Sequence, residues 1–196
     1  MDKKLELIGI LDKGRAGLHL REISRLINTG LPNVVRYVDI LEKEGVVSKN
    51  KEANLLNVKL LESQRTLAYL KQLHTEKFIL LPDKVRLAVN DFLNELRIKP
   101  TISLIFGSYA KADYTTKSDI DIFLVFQNFK EADIENTARK ISLRSNKQIN
   151  PVYVNYKDFE KNFLNKEHDF SNEIRKDVIL LTGIEYYYTL LWRFLR

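Results

Sequence analysis

The sequence predicts an α+β protein in two parts. The observations behind this are an N-terminal run of helical periodicity closed by two short strands, a change to strand periodicity after Pro100, and a compact pattern of glycine, serine and paired aspartates on strand ends. The chain has 196 residues, 44% hydrophobic and 30% charged, a globular composition. That length allows one large domain or two small ones, each with its own core.

The elements follow in order. Lys3 to Leu11 carries Leu5, Leu7, Ile8 and Leu11 at helical spacing, and Gly14 and Gly17 break the run. His19 to Asn28 predicts a second helix, with Leu20, Ile23, Leu26 and Ile27 on one face. Thr29-Gly30 forms a turn. Leu31-Pro32 opens a third helix, since proline suits the first helical turn. That helix runs to about Glu44 with Val34, Val35, Val38, Ile40 and Leu41 apolar, and Gly45 caps it. Val46-Val47-Ser48 and Leu55-Leu56-Asn57-Val58 predict two strands, joined at a tip through Lys49 to Asn54.

Residues 61–81 predict a helical connector, with Leu61, Leu67, Leu70 and Leu73 recurring along it. Pro82-Asp83 starts a helix to about Leu96, with Val85, Val89, Phe92 and Leu93 inward. Ile102 to Phe106 and Asp119 to Phe126 predict strands. Glu131 to Ser145 predicts a helix with Ile134, Ala138 and Ile141 on one face, and Gln148 to Val154 a third strand. Tyr156 to Leu164 and Asn172 to Leu180 predict helices, and Gly183 precedes a last segment rich in Tyr, Leu and Trp. That segment predicts either a partner surface, in a dimer or against a toxin, or a last helix packed on the sheet.

Composition narrows the function classes. No cysteine is present, which excludes disulfides and thiolate zinc sites and fits a reducing cytoplasm. His19, His74 and His168 are scattered, which predicts structural or surface roles. The longest apolar stretches are too short to span a bilayer, and Met1 to Glu6 lacks the apolar core of a signal peptide, so no membrane partner is expected. The net charge of +6 favours an anionic partner, and the excess leans towards residues 1–60.

The chemistry concentrates in residues 104–126. A strand ends at Gly107-Ser108, where glycine lets a phosphate approach the backbone and the free N–H groups of a following helical turn point at an anion. Asp119 and Asp121 lie two apart on the next strand, so both side chains face one way while Ile120 and Ile122 face the core. Paired carboxylates repel unless a cation compensates them. Mg²⁺ prefers one or two carboxylates plus phosphate oxygens, so the constellation predicts metal-assisted transfer from a nucleoside triphosphate, with Mn²⁺ as a substitute ion.

This stretch resembles the signature of the DNA polymerase beta nucleotidyltransferase superfamily: a strand, Gly-Ser, a spacer of ten residues from Tyr109 to Ser118, then Asp-x-Asp. The resemblance covers residues 85–185 and implies a short mixed sheet backed by helices over 82–196. It implies that Gly107, Ser108, Lys111 and Ser118 contact the nucleotide, ATP or another NTP, and that Asp119 and Asp121 are catalytic and hold the metal. The implied reaction moves a nucleoside monophosphate to an acceptor hydroxyl; similar small enzymes act on antibiotics, protein hydroxyls, including those of partner toxins, and RNA ends. Two departures stand out. Ala112 replaces a glycine frequent in the small-enzyme branch. A third carboxylate usual on a later strand is missing: no Asp or Glu occurs from Asn136 to Lys157, leaving Asn150 as a neutral oxygen and Asp158 or Asp177 as distant substitutes.

Residues 1–60 resemble a winged helix-turn-helix domain of prokaryotic regulators, carried by Leu20 to Leu26 and Leu41 to Val47. That implies DNA contacts from Asn33, Arg36 and Tyr37 on the third helix and from Lys49 and Lys51 at the wing. The alternative to an active transferase is a DNA-binding regulator whose transferase-like domain only binds nucleotide or makes a homodimer.

Overall fold

The computed structural model describes residues 2–52 and 55–196, and these form a mixed α+β protein with ten α-helices and two small sheets among them. Two compact units divide the chain, Met1–Leu73 and His74–Arg196. No helix among the described residues is long and apolar enough to cross a membrane.

The N-terminal unit starts with α1 (Lys3–Lys13), capped where the Asp2 side chain accepts the Lys4 N–H. Then come β1 (Leu18–His19), α2 (Leu20–Leu26), α3 (Leu31–Lys43), β2 (Val47–Glu52) and β3 (Leu55–Leu60). The strands form an antiparallel sheet in the order β1-β3-β2. Leu7, Ile8, Ile23, Val34, Val38 and Leu41 fill the core. Gly45 ends α3 in a left-handed conformation, and the Val46 N–H closes back on the Leu41 carbonyl.

Three details differ from the sequence reading. His19 pairs with Asn57 in β1 instead of opening the second helix. Leu26 is exposed, because Ile23 and Ile27, four residues apart, take the inward face. Val35 and Ile40 flank the buried stripe of α3 rather than joining it. Of the expected hairpin tip, Lys49 to Glu52 belong to β2, and Ala53 and Asn54 lie outside the described residues.

The boundary between units falls inside α4 (Gln64–Ile79). The C-terminal unit continues with α5 (Asp83–Glu95), β4 (Ile102–Ile105), α6 (Gly107–Lys111), β5 (Ile120–Phe126), α7 (Glu131–Ser145) and β6 (Ile149–Asn155). It ends with α8 (Tyr156–Leu164), α9 (Asp169–Ile174), β7 (Ile179–Thr182) and α10 (Ile184–Leu195). Strand order is β6-β5-β4-β7; β4 is antiparallel to both neighbours, and β5 runs parallel to β6 through α7. Alternation assigns the two faces of β5. Ile120, Ile122, Leu124 and Phe126 pack with Val89 and Phe92 of α5 and Ile134 and Ile141 of α7. On the opposite face Phe123 meets Phe159 and Phe170, of α8 and α9.

The helix expected over Asn172 to Leu180 is a correction. Its first residues end α9, and Ile179–Thr182 is a fourth strand. The second edge of β4 carries unpaired backbone groups, and β7 satisfies them. Gly183 then turns the chain with φ +73°; a Cβ there would lie 2.2 Å from the Thr101 carbonyl oxygen, so only glycine fits. In α10 Tyr187, Tyr188, Leu190 and Leu191 are buried, as a packed last helix requires.

Candidate active site

The antiparallel β4–β5 pair brings the end of β4 beside the start of β5. Phe106 N–H bonds the Asp121 carbonyl at 3.1 Å, and Gly107 follows directly. Gly107 has φ +66°, and a Cβ on it would lie 2.4 Å from Asp121 Oδ2. Both the backbone conformation and the space are closed to other residues. The sequence motif is therefore one contact, a carboxylate laid over a bare Cα.

Short helix α6 begins at this point with Phe106 as its extended N-cap. Ser108 sits in its first turn, and its side chain makes no hydrogen bond among the described residues. Ala112 ends the helix in the left-handed region at φ +60°. The glycine frequent at this place in similar enzymes has a conformational reason, and alanine adopts that geometry at some strain.

Asp119 is exposed just before β5, and Asp121 is half-buried within it. Neither carboxylate has a cationic side-chain partner among the described residues. Asn150 lies opposite Asp121 in the parallel register. Its Nδ2 donates to Asp121 Oδ1 at 3.2 Å and to Asp119 Oδ2 at 3.4 Å. The two acids thus converge on one amide, which confirms that their side chains share a side. Asn150 Oδ1 accepts from Gln148 Nε2 at 3.4 Å.

The loop ahead of Asp119 is tied down. Ser118 Oγ accepts the Thr115 N–H at 2.9 Å, so this hydroxyl closes the turn. Buried Tyr109 donates to the Ser118 carbonyl at 3.2 Å. Lys147 donates to Tyr109 Oη at 3.0 Å, to the Thr116 carbonyl at 2.8 Å and to the Ser118 carbonyl at 3.4 Å. Tyr114 stacks on Tyr109 at 4.6 Å. Phe170 closes the site face edge-on, 5.4 Å from Phe106 and 5.2 Å from Phe123.

Other expected residues lie apart from the carboxylates. Lys111 bonds Glu173 of α9 at 3.0 Å, and that hydrogen bond raises the lysine above its ordinary value. Asp158 accepts from Asn155 Nδ2 at 2.6 Å, at the far end of β6 from Asn150. Asp177 precedes β7 and acts electrostatically on Lys111. Among the described residues, no group of three or more His, Asp or Glu gathers as a metal cluster. The histidines have structural places. His74 is buried between Tyr188 and the Leu180 N–H, and His168 caps α9 by accepting from Ser171. His19 lies 3.4 Å from the Leu56 carbonyl.

In the N-terminal unit Asn33 and Arg36 are exposed on α3, and the Arg36 guanidinium lies 5.3 Å from the ring of half-buried Tyr37. Lys51 is exposed on β2. Lys49 differs from expectation. It sits mid-strand and pairs with Asp39 and Glu42 of α3, each at 2.7 Å, and those hydrogen bonds raise its pKa.

Sequence reasoning missed Lys147 and Gln148. A lysine that braces a loop through carbonyls leaves no pattern of its own. Asn150 was visible only as a possible oxygen; its amide donates through the β5–β6 register, which local sequence does not encode.

Residues 89–181 match the model of the family described as Polymerase beta, Nucleotidyltransferase. The matched span includes Gly107, Asp119, Asp121 and Asn150. It supports a domain of the DNA polymerase beta-like superfamily, with a nucleotidyltransferase-like function, in this part of the chain. No curated protein and no solved structure gives a significant match.

Proposed function

We propose that residues 82–196 form a Mg²⁺-dependent nucleotidyltransferase that moves a nucleoside monophosphate from an NTP to an acceptor hydroxyl. The observation that carries this reading is the convergence of Asp119 and Asp121 on the Asn150 amide, beside the bare backbone of Gly107. Two neighbouring carboxylates without a cation repel, and their oxygens suit a Mg²⁺ or Mn²⁺ ion that completes its shell with phosphate oxygens. Asp119 and Asp121 would hold that ion. When bound it supplies electrostatic stabilisation to the phosphate oxygens as charge develops on them.

The chain's own groups do the rest. Gly107 lets the Asp121 carboxylate lie against the backbone, and the Ser108 hydroxyl and first-turn N–H groups of α6 would donate to a phosphate. Lys111 would join only by leaving Glu173. Ser118 would act by holding the loop that presents Asp119. The acceptor oxygen bonds to the α-phosphorus, and the bond from that phosphorus to the oxygen bridging the β-phosphate breaks. Pyrophosphate leaves, and the hydroxyl proton passes to water.

The order α1-β1-α2-α3-β2-β3 and the sheet β1-β3-β2 support a winged helix-turn-helix reading of the N-terminal unit. In it α3 would enter the DNA groove with Asn33, Arg36 and Tyr37, and Lys51 would reach a phosphate from the wing. Lys49 would contribute only by giving up two carboxylates.

Asn150 favours a second reading. An amide stands where similar active enzymes carry a third carboxylate; its oxygen is a neutral ligand, weaker for Mg²⁺ than a carboxylate, and its Nδ2 is turned to the two acids. In this reading the domain binds metal and nucleotide without transfer, and serves a DNA-binding regulator. Calorimetric titration with ATP, GTP, CTP and UTP, with and without Mg²⁺, tests both, alongside transfer of α-labelled phosphate. Mg²⁺-dependent binding and transfer, both lost in Asp119→Asn/Asp121→Asn, support the transferase. Binding without transfer supports the regulator. Binding of no triphosphate overturns both.

A further inference from the structure

Behind the sheet, a pocket of about 580 Å³ lies among the start of α5, the loop after α6 and the end of α7. Val85 and Tyr109 on its wall belong to the core that packs against Ile120 and Ile122, the face of β5 opposite Asp121. Its lining includes neither Asp119, Asp121 nor Asn150. The volume falls within the roughly 300–1,000 Å³ that small-molecule sites occupy.

The walls combine two chemistries. The first is aromatic. Tyr109 is buried, and Tyr114 stacks on it with ring centres 4.6 Å and planes 24° apart. Tyr114 is itself half-buried, so part of its ring stays open to an occupant. The second is positive charge. Lys147 spends its three donors on the Tyr109 hydroxyl and the Thr116 and Ser118 carbonyls, all neutral, so its charge remains in the pocket. Lys84 is exposed, and its side chain has no hydrogen bond or ion pair among the described residues. Among those residues the one carboxylate on the lining is Asp83, and it is paired with Arg86.

Two uncancelled cations suit an anion, and a half-open tyrosine ring suits a flat apolar body. A bare inorganic ion would leave the aromatic wall uncovered, and an uncharged ring would leave both lysines unanswered. Tyr109 and Lys147 also hold the Ser118 carbonyl, so the pocket and the loop ahead of Asp119 share their braces.

We infer that this pocket is a second ligand site, for a planar aromatic molecule that carries a negative charge, and that its occupant steadies the loop ahead of Asp119. The inference goes beyond the transferase reading and does not depend on it, because the carboxylate pair and Asn150 supply none of the walls. Two sources share the chemistry, a nucleoside monophosphate and an aromatic carboxylic acid. Lys84 and the ring of Tyr114 are the groups that recognise it.

Calorimetry on the full chain, in Mg²⁺-free buffer, compares AMP with inorganic phosphate and salicylate with acetate. At least one ringed probe should bind about 10-fold or more tightly than its ringless counterpart, and which one does so identifies the source. That binding should weaken about 5-fold or more in Tyr114→Leu, which keeps apolar bulk without the flat ring, and in Lys84→Glu, which reverses an exposed charge. It should stay within about 2-fold of wild type in Tyr186→Leu and Lys157→Glu, the same changes at exposed positions of α10 and α8. Amides of residues 112–118 should exchange hydrogen about 3-fold or more slowly with the probe bound.

The inference is overturned if no ringed probe binds, if phosphate or acetate binds as tightly as its ringed counterpart, or if pocket and control variants behave alike. A change of about 10-fold or more in Asp121→Asn places the probe among the carboxylates and overturns it as well. Binding with no slowing over residues 112–118 overturns the role at the loop.

Discussion

Lys49 of the N-terminal unit and Lys147 of the C-terminal unit are both half-buried lysines tied to nearby chain, yet their surroundings differ in kind. Lys49 is gripped by two carboxylates, Asp39 and Glu42, and its charge is cancelled where it stands. Lys147 is gripped by a hydroxyl and two carbonyls, which fix its position and leave its charge in the local field. The difference teaches where a basic residue is available to an anion. A lysine among carboxylates contributes to the fold, and a lysine among neutral oxygens also attracts a phosphate. By that criterion the net basic excess of residues 1–60 overstates the cations free to meet an anion, since Lys49 is already paired.

The comparison breaks first if the carboxylate geometry of the C-terminal unit is not the centre of its function. Gly107→Ala attacks that geometry with a single methyl group. The new Cβ would displace the Asp121 carboxylate and hold a left-handed backbone at a cost of about 1–3 kcal/mol. Mg²⁺-dependent ATP binding should fall by at least about 100-fold, read by calorimetry. Unchanged binding would mean that the nucleotide does not use this end of the sheet.

The next effect separates the units by pH. His74 is buried at the start of the C-terminal unit; its Nδ1 accepts the Leu180 N–H, and its Nε2 lies 3.0 Å from the Tyr188 hydroxyl. Burial first, and the Lys77 charge second, lower its pKa to about 3 from 6.5. Above pH 6.5 both folded and unfolded chains hold it neutral. Below that, the unfolded chain takes up a proton that the folded chain refuses, so stability falls with pH at a limit of about 1.4 kcal/mol per unit. The C-terminal unit should lose about 2 kcal/mol between pH 8 and pH 5, before most carboxylates titrate. Scanning calorimetry should show its transition moving down in this window, and His74→Gln should flatten the trend. An equal shift in both units would assign the acid sensitivity elsewhere.

Such differences explain how much the sequence disclosed. Gly107, Asp119 and Asp121 were legible because their chemistry is local: a bare Cα, a strand period of two, and a fixed spacer. The helices α3, α5, α7 and α8 were legible because their apolar stripes are regular. The helix read over Asn172 to Leu180 missed strand β7, which exists only through the open edge of β4 and so depends on a partner more than seventy positions away. The partners of Lys49 and Lys147 were hidden for the same reason. A side chain's partners depend on register and on helix placement, and neither is carried by the residues next to it.

A smaller effect tests the role of Lys147 as a brace. Lys147→Met keeps the aliphatic stem and removes three donated hydrogen bonds. The thermal stability of the C-terminal unit should fall by about 1–2 kcal/mol, because bonds from a charged donor exceed neutral ones but this group is only half-buried. Mg·ATP affinity should fall about 10-fold as the loop before Asp119 loosens. A stability loss with full nucleotide affinity would make Lys147 a packing residue with no bearing on the site.

The smallest effect is the one that most directly sharpens the contrast. Lys49→Met removes a cation from between two carboxylates, with the lysine side chain 23% exposed and its partners 47% and 41% exposed. Solvent screens such pairs, so the N-terminal unit should lose no more than about 1 kcal/mol. If this unit binds duplex DNA, its affinity and salt dependence should be the same in Lys49→Met as in wild type, since a neutralised lysine releases no counterion. Arg36→Ala, on the exposed face of α3, should weaken the same binding and lower the salt slope by about one. A reversed result, with Lys49 felt by DNA and Arg36 not, would mean that the wing gives up its contacts with α3 on binding and that local ion pairing does not decide which cations meet phosphate.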